Sequence, residues 1–152
     1  VARPDNIRSI YLDSSALIAV IQNEPGCDPV KQVLSLVDQQ LMTLYGSPLT
    51  LVEVRGQPRG EHDAERDRKV LDFLDGRVKP VELNRRVAIR ARGYVGSYGL
   101  RPADAIHLAS AVEAPVEVLW SQDKDFQSLW GSRVDGVWVD EPYPFGQQQL
   151  PI

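Results

Sequence analysis

Residues 9–18 read Ser-Ile-Tyr-Leu-Asp-Ser-Ser-Ala-Leu-Ile. The apolar run SIYL predicts a short buried strand, and ALIAVIQ after the serines predicts a helix stopped by the turn signal EPG. Asp13 therefore sits where a buried element meets a loop, a place held by a rigid scaffold that can still face a cleft. Three other acids hold comparable positions: Glu53 in SPLTLVEV, Asp104 in RPADAIHLASA and Asp123 in VLWSQDKDF. Four carboxylates at the ends or first turns of apolar segments are candidates for a single oxygen-lined metal site.

Working outward, short apolar runs alternate with segments of helical period, which is an α/β pattern. Asp28 as N-cap and Pro29 at the first helical position predict a second helix through VKQVLSLVDQQ, with Val33, Leu34 and Val37 on one face. LMTLY is the second strand. Ser47 and Pro48 repeat the cap-plus-proline signature, so LTLVEVRG opens a helix with Glu53 in its second turn, near the N-terminus. EHDAERDRKVLDFLD is charged outside and apolar at Val70, Leu71 and Leu74. VKPVEL is a weaker strand, interrupted by Pro80. RRVAIRARGYVGSYG carries Val87, Ala91, Tyr94 and Tyr98 at helical steps, with Gly93 and Gly96 weakening its last turns. Pro102 starts the helix ADAIHLASAVE, VEVLW is another buried strand and VDGVWVD a final edge strand. These elements make one domain, residues 1–141, followed by a proline-rich tail, 142–152, expected as a loose end or a partner-binding arm.

With 152 residues, 43% apolar and 25% charged, the composition is that of one ordinary globular domain. The single cysteine, Cys27, excludes an internal disulfide, and with only His62 and His107 besides it there is no zinc-type ligand cluster. The absence of any apolar run of roughly 20 residues, and of a signal-peptide core in VARPDNIRS, points to a chain without membrane insertion in a reducing, cytoplasmic setting. The net charge of −4 hides an asymmetry: Arg55 to Arg101 hold 12 Lys or Arg against 7 Asp or Glu, leaving 5 against 14 elsewhere. A basic middle beside clustered acids suits a phosphate polymer held by cations, and equally suits a solvated, salt-bridged helix face.

In their order, LDSSALI, SPLTLVEV, RPADAIHLASA and WSQDKDF resemble the PIN-domain ribonucleases, specifically VapC-type toxins of toxin–antitoxin pairs; the resemblance spans roughly residues 10–139. It implies a three-layer α/β/α fold with a central, mostly parallel sheet and the acids at the strands' carboxyl ends. It also implies a Mg²⁺- or Mn²⁺-dependent endoribonuclease, with Asp13 and Asp104 as principal metal ligands, Glu53 binding metal or orienting water, and Asp123 completing the set. Ser14 and Ser121 resemble the hydroxyls that orient such carboxylates. RNA, a cognate antitoxin and a homodimer formed through helices are the implied partners, the candidate surfaces being Val33 to Val37 and the Tyr94–Tyr98 stripe.

Independently of the resemblance, two acids following strands fit the ligand crevice of open α/β sheets, and clustered carboxylates without cysteine favour Mg²⁺ or Mn²⁺ over zinc. Taken singly, Asp13 reads as a helix cap, Glu53 and Asp104 as helix-dipole partners, and Asp123 and Asp125 as loop or cap residues. Asp125 stays outside the ligand set, His107 reads as packed and hydrogen-bonded, Trp120 as core and Cys27 as inert, while Arg55, Arg101 and Lys124 are phosphate-contact candidates. Two rival functions stand beside the nuclease. A metal-dependent phosphatase of the haloacid-dehalogenase type would carry a second aspartate where Ser15 lies. A non-catalytic RNA-binding module would not need four acids.

Overall fold

The computed structural model describes residues 3–146. Strand β1 (Ser9–Leu12) is completely buried and runs through Asp13 into helix α1 (Ser14–Ile21). Helix α2 (Asp28–Asp38) leads to strand β2 (Thr43–Gly46), and the one-turn helix α3 (Leu49–Glu53) and helix α4 (Ala64–Asp75) lead to β3 (Val78–Pro80). Helices α5 (Arg85–Tyr98) and α6 (Pro102–Glu113) then cross back to β4 (Val118–Trp120). A 3₁₀ turn (Lys124–Leu129) precedes β5 (Ser132–Val134) and β6 (Val137–Asp140).

The six strands form one sheet in the order β3-β2-β1-β4-β6-β5, parallel throughout except for β5. Alternation along each strand sends side chains to two apolar layers. Ile10, Leu12, Leu44 and Trp120 pack with Leu17, Val33, Val70 and Leu74 on one face. Tyr11, Leu119 and Val139 pack with Val87, Tyr94, Leu108 and Phe126 on the other. The fold is the expected three-layer α/β/α arrangement around a mostly parallel sheet.

Several local expectations are corrected. VDGVWVD is not one edge strand: Asp135 (φ 47°) and Gly136 (φ 92°) form a two-residue turn between β5 and β6, and β6 lies inside the sheet beside β4. Asp-Gly between apolar runs is a hairpin signal, because both turn positions need positive φ. Glu53 is not near a helix N-terminus but is the last residue of α3, which Val54 ends. The cap of α2 is Cys27 rather than Asp28, and Pro48 rather than Ser47 caps α3, although the Ser47 hydroxyl still accepts from Leu49 N at 3.1 Å. Helix α5 runs through Gly93 and Gly96 unbroken and stops at Gly99, whose φ of 66° suits glycine.

The first part of the tail is packed rather than loose. Tyr143 and Phe145 are buried against Trp120, and the Tyr143 hydroxyl donates to Pro4 O at 2.6 Å. Residues 147–152 of the tail lie outside the described residues. Of the surfaces considered for partners, Val33 and Tyr94 are core; Tyr98 is exposed.

Candidate active site

After β1 the chain turns towards β2, and after β4 it turns towards β6, so the crevice at the carboxyl ends of these two neighbours is the switch point of the sheet. Asp13 leaves β1 there and Ser121 to Asp123 leave β4. Asp104, in the first turn of α6, and Glu53, at the end of α3, reach the same place. The four acids line one cleft of about 180 Å³, together with Ser14, Ser15, Ile18 and His107.

Two serines stitch the strand ends together around Asp13. Ser15 donates to Asp13 Oδ1 at 2.6 Å and accepts from Gln122 N at 3.0 Å, while Ser121 donates to Asp13 Oδ2 at 2.5 Å. Asp13 also caps α1, with Oδ1 accepting from Ala16 N at 3.2 Å. The capping role and the cleft position thus belong to the same residue. A carboxylate offers about four acceptor sites, so these three bonds leave about one directed elsewhere. Burial pushes the Asp13 carboxyl up, against the lowering effect of both serines.

Ser14 acts on Glu53 instead, donating to Oε1 at 2.6 Å. His107 is buried, as expected of a packed and hydrogen-bonded histidine, and its Nε2 lies 2.7 Å from the same Glu53 oxygen. Burial alone would raise the Glu53 carboxyl, but the hydrogen bonds from His107 and Ser14 bring it below its ordinary range.

Asp104, Asp123 and Asp125 each bring a carboxylate oxygen within 4.8 Å of the others. Asp125, kept out of the ligand set on sequence grounds, therefore stands in the acidic trio, whereas Asp13 and Glu53 line the cleft outside it. Asp123 caps the 3₁₀ turn by accepting from Asp125 N, and Asp125 pairs with Arg101 at 3.2 Å. Burial, then the charges of Asp123, Asp13 and Asp125, push the Asp104 carboxyl up to about 7. This all-oxygen, mutually repelling set fits a hard divalent cation, which would offset the repulsion.

Part of the basic middle is paired within the chain. Arg86 and Arg90 pair with Glu113, Arg77 pairs with Asp38, and Arg55 donates to Glu61 O at 2.8 Å. Ser15 and Tyr11 were missed in the sequence. Ser15 had a signal in its position two residues after Asp13, from which a hydroxyl can reach back to the carboxylate. For Tyr11 the signal was a phenol in a fully buried strand, which needs a buried partner.

A pH dependence follows from Asp104. Unfolded, it titrates near 3.8, and folded at about 7, so between these values the folded state binds more protons and stability falls as pH rises. The metal-free protein is expected to melt several degrees lower at about pH 8 than at about pH 5, with Mg²⁺ recovering much of the loss at the higher pH. Thermal melts followed by circular dichroism read this directly; no contribution from the acidic cleft remains if Asp104→Asn shows the same pH slope as wild type.

A family model described as PIN domain matches residues 10–130. No curated protein sequence matches the chain. Among solved structures, similarity is found to a toxin–antitoxin complex from Klebsiella pneumoniae, at 24% identity and TM-score 0.61, covering 89% of this chain and 98% of that one. VapBC2 from Rickettsia felis, bound to a DNA fragment from its promoter, matches at 14% identity and TM-score 0.64, covering 88% and 98%. FitAcB from Neisseria gonorrhoeae matches at 20% identity and TM-score 0.54, covering 88% and 97%. At these identities the likeness speaks to the fold.

Proposed function

The chain belongs to the PIN-domain family, and from that premise we propose that it is a metal-dependent endoribonuclease acting in the cytoplasm as the toxin of a toxin–antitoxin pair. The observation that carries the reading is the convergence of Asp13, Glu53, Asp104 and Asp123 on one cleft at the switch point of the sheet, with Asp104 pushed up to about 7 by its neighbours. Bound there, Mg²⁺ or Mn²⁺ would lower the pKa of a water and offset charge on the phosphate under attack.

The chain's own groups divide the remaining work. Asp13, held by Ser15 and Ser121, and Asp104 would hold the ion, with Asp123 completing the set. Glu53, held by Ser14 and His107, orients the attacking water. Arg101, now paired with Asp125 at the rim, is placed to exchange that carboxylate for a substrate phosphate. Ser15 stands where the phosphatase alternative would carry its second aspartate, and its hydroxyl is spent on Asp13 and Gln122 N, which counts against that alternative.

An antitoxin partner is supported by two observations. The similar solved structures include toxin–antitoxin complexes, and Leu51 and Val52, on the same short helix as Glu53, are 55% and 69% exposed. Apolar side chains presented beside an acidic cleft suit a protein segment that covers the cleft. No helix of the described residues is long and apolar enough to cross a membrane.

The deciding experiment incubates the purified chain with structured RNA and, separately, with small phosphate esters, each with and without Mg²⁺. RNA cleavage that EDTA abolishes is the expected result. Ester hydrolysis without RNA cleavage would establish the phosphatase, and RNA binding without turnover the binding module.

A further inference from the structure

The strand that delivers Asp13 also carries a buried hydroxyl, on the face of the sheet that α6 covers. Tyr11 is fully buried, and its phenol oxygen lies 2.7 Å from His107 Nδ1, with the two rings edge to face at 5.8 Å and 67°. On the far side of the imidazole, Nε2 is 2.7 Å from Glu53 Oε1. Three residues from β1, α6 and α3 thus form one line of hydrogen bonds ending at a carboxylate in the cleft. Tyr11 itself does not line that cleft.

We propose that Tyr11 and His107 are positioning residues that fix the direction of the Glu53 carboxylate, Tyr11 occupying Nδ1 so that His107 must present its Nε2–H to Glu53. The proposal rests on the nuclease reading only for what Glu53 then does.

Glu53 needs such support. Helix α3 is five residues long and ends at Glu53, so little backbone order fixes its side chain, which is 31% exposed. Both hydrogen bonds that reach it, from Ser14 and from His107, fall on Oε1, and Oε2 has no protein partner among the described residues. A carboxylate gripped by one oxygen is aimed with the other. An ionised carboxylate only accepts, so the bond from His107 requires a proton on Nε2. A neutral imidazole carries one proton, which leaves Nδ1 as an acceptor needing a donor. A phenol carries its proton at neutral pH, so Tyr11, 2.7 Å from Nδ1, supplies that donor. With the other tautomer, Nε2 could accept only from a donor such as Ser14 Oγ, 3.4 Å away, and the link to Glu53 would be lost.

The test uses ¹⁵N-histidine-labelled, metal-free protein, in which His62 and His107 are the only two imidazoles. His107→Gln identifies the His107 signals. The expected wild-type spectrum shows His107 as a single tautomer with Nε2 protonated and Nδ1 bare. Tyr11→Phe keeps the ring packing and removes the hydroxyl; it is expected to abolish the single tautomer and to lower kcat for RNA cleavage on the order of 10-fold, with little change in KM.

Three outcomes overturn the proposal: a wild-type His107 protonated on Nδ1, a Tyr11→Phe variant that retains the pure Nε2–H tautomer, or one that loses it yet keeps the wild-type kcat. Should Tyr11→Phe fail to fold, the wild-type spectrum decides alone. A wild-type protein with the expected tautomer and no ribonuclease activity would leave the relay standing and remove the nuclease reading, so the two failures are distinguishable.

Discussion

Asp104→Asn is expected to lower Mg²⁺-dependent RNA cleavage on the order of 100- to 1,000-fold while making the metal-free protein more stable. The two effects share a cause. Asp104 is buried and its carboxylate is repelled by Asp123, Asp13 and Asp125, so keeping it charged is costly and its carboxyl is pushed up to about 7. Asparagine keeps the shape and removes the charge, which relieves the repulsion and with it the attraction for a cation. A variant that loses activity by unfolding would instead melt earlier. Asp13→Asn should lose cleavage to a similar degree without the gain in stability, because an amide offers a single oxygen to the three donors, Ser15, Ser121 and Ala16 N, that now share the two carboxylate oxygens. Initial rates on one RNA, with melting curves of the same preparations, separate these cases. Wild-type cleavage by either variant would remove that residue from the site.

The second large effect falls on stability. Trp120→Ala is expected to cost about 3–5 kcal/mol, the range for deleting a large aromatic side chain from a core. Trp120 is fully buried at the end of β4, stacked on Phe145 at 4.9 Å and edge-on to Tyr143 at 5.2 Å. Its Nε1 has no hydrogen-bond partner among the described residues, so the loss comes chiefly from packing. Removing it leaves the first tail residues without the surface they cover. Urea denaturation measures the loss, and limited proteolysis should show earlier cleavage between residues 141 and 146. Unchanged stability would mean that the aromatic cluster contributes nothing to holding the fold.

Much of this arrangement is legible in the chain because its signals are local. SIYL followed by Asp13, the Pro102 helix start and the apolar run VEVLW each specify an element and place an acid at its end. What was misread depended on tertiary context or on competing cues. VDGVWVD contains the Asp-Gly turn, but the strand before it, Ser132–Val134, is too short to stand out as an apolar run, and no sequence period reveals that β6 docks beside β4 rather than at the edge. The proline signature at Ser47–Pro48 marks the start of α3 correctly, but its end at Glu53 comes from the loop that follows. The four acids could be named individually, whereas the placing of Asp125 in the trio with Asp104 required the 3₁₀ turn to be seen. Tail residues Tyr143 and Phe145 pack because Trp120 offers them a surface, which composition alone does not disclose.

The interior position of β6 also has a meaning in time. The backbone N–H of Ser121, whose hydroxyl holds Asp13, donates to Asp140 O at 3.0 Å. A chain emerging from the ribosome in order therefore presents all four acids before it presents the strand that anchors the loop between two of them. Until residues 137–140 arrive, β4 is an open edge and the cleft has one wall unsecured. Synthesis itself thus delays the completion of the acidic centre until after its acids have been made, so a nascent chain stopped before residue 137 would carry the four acids without the frame that aligns them.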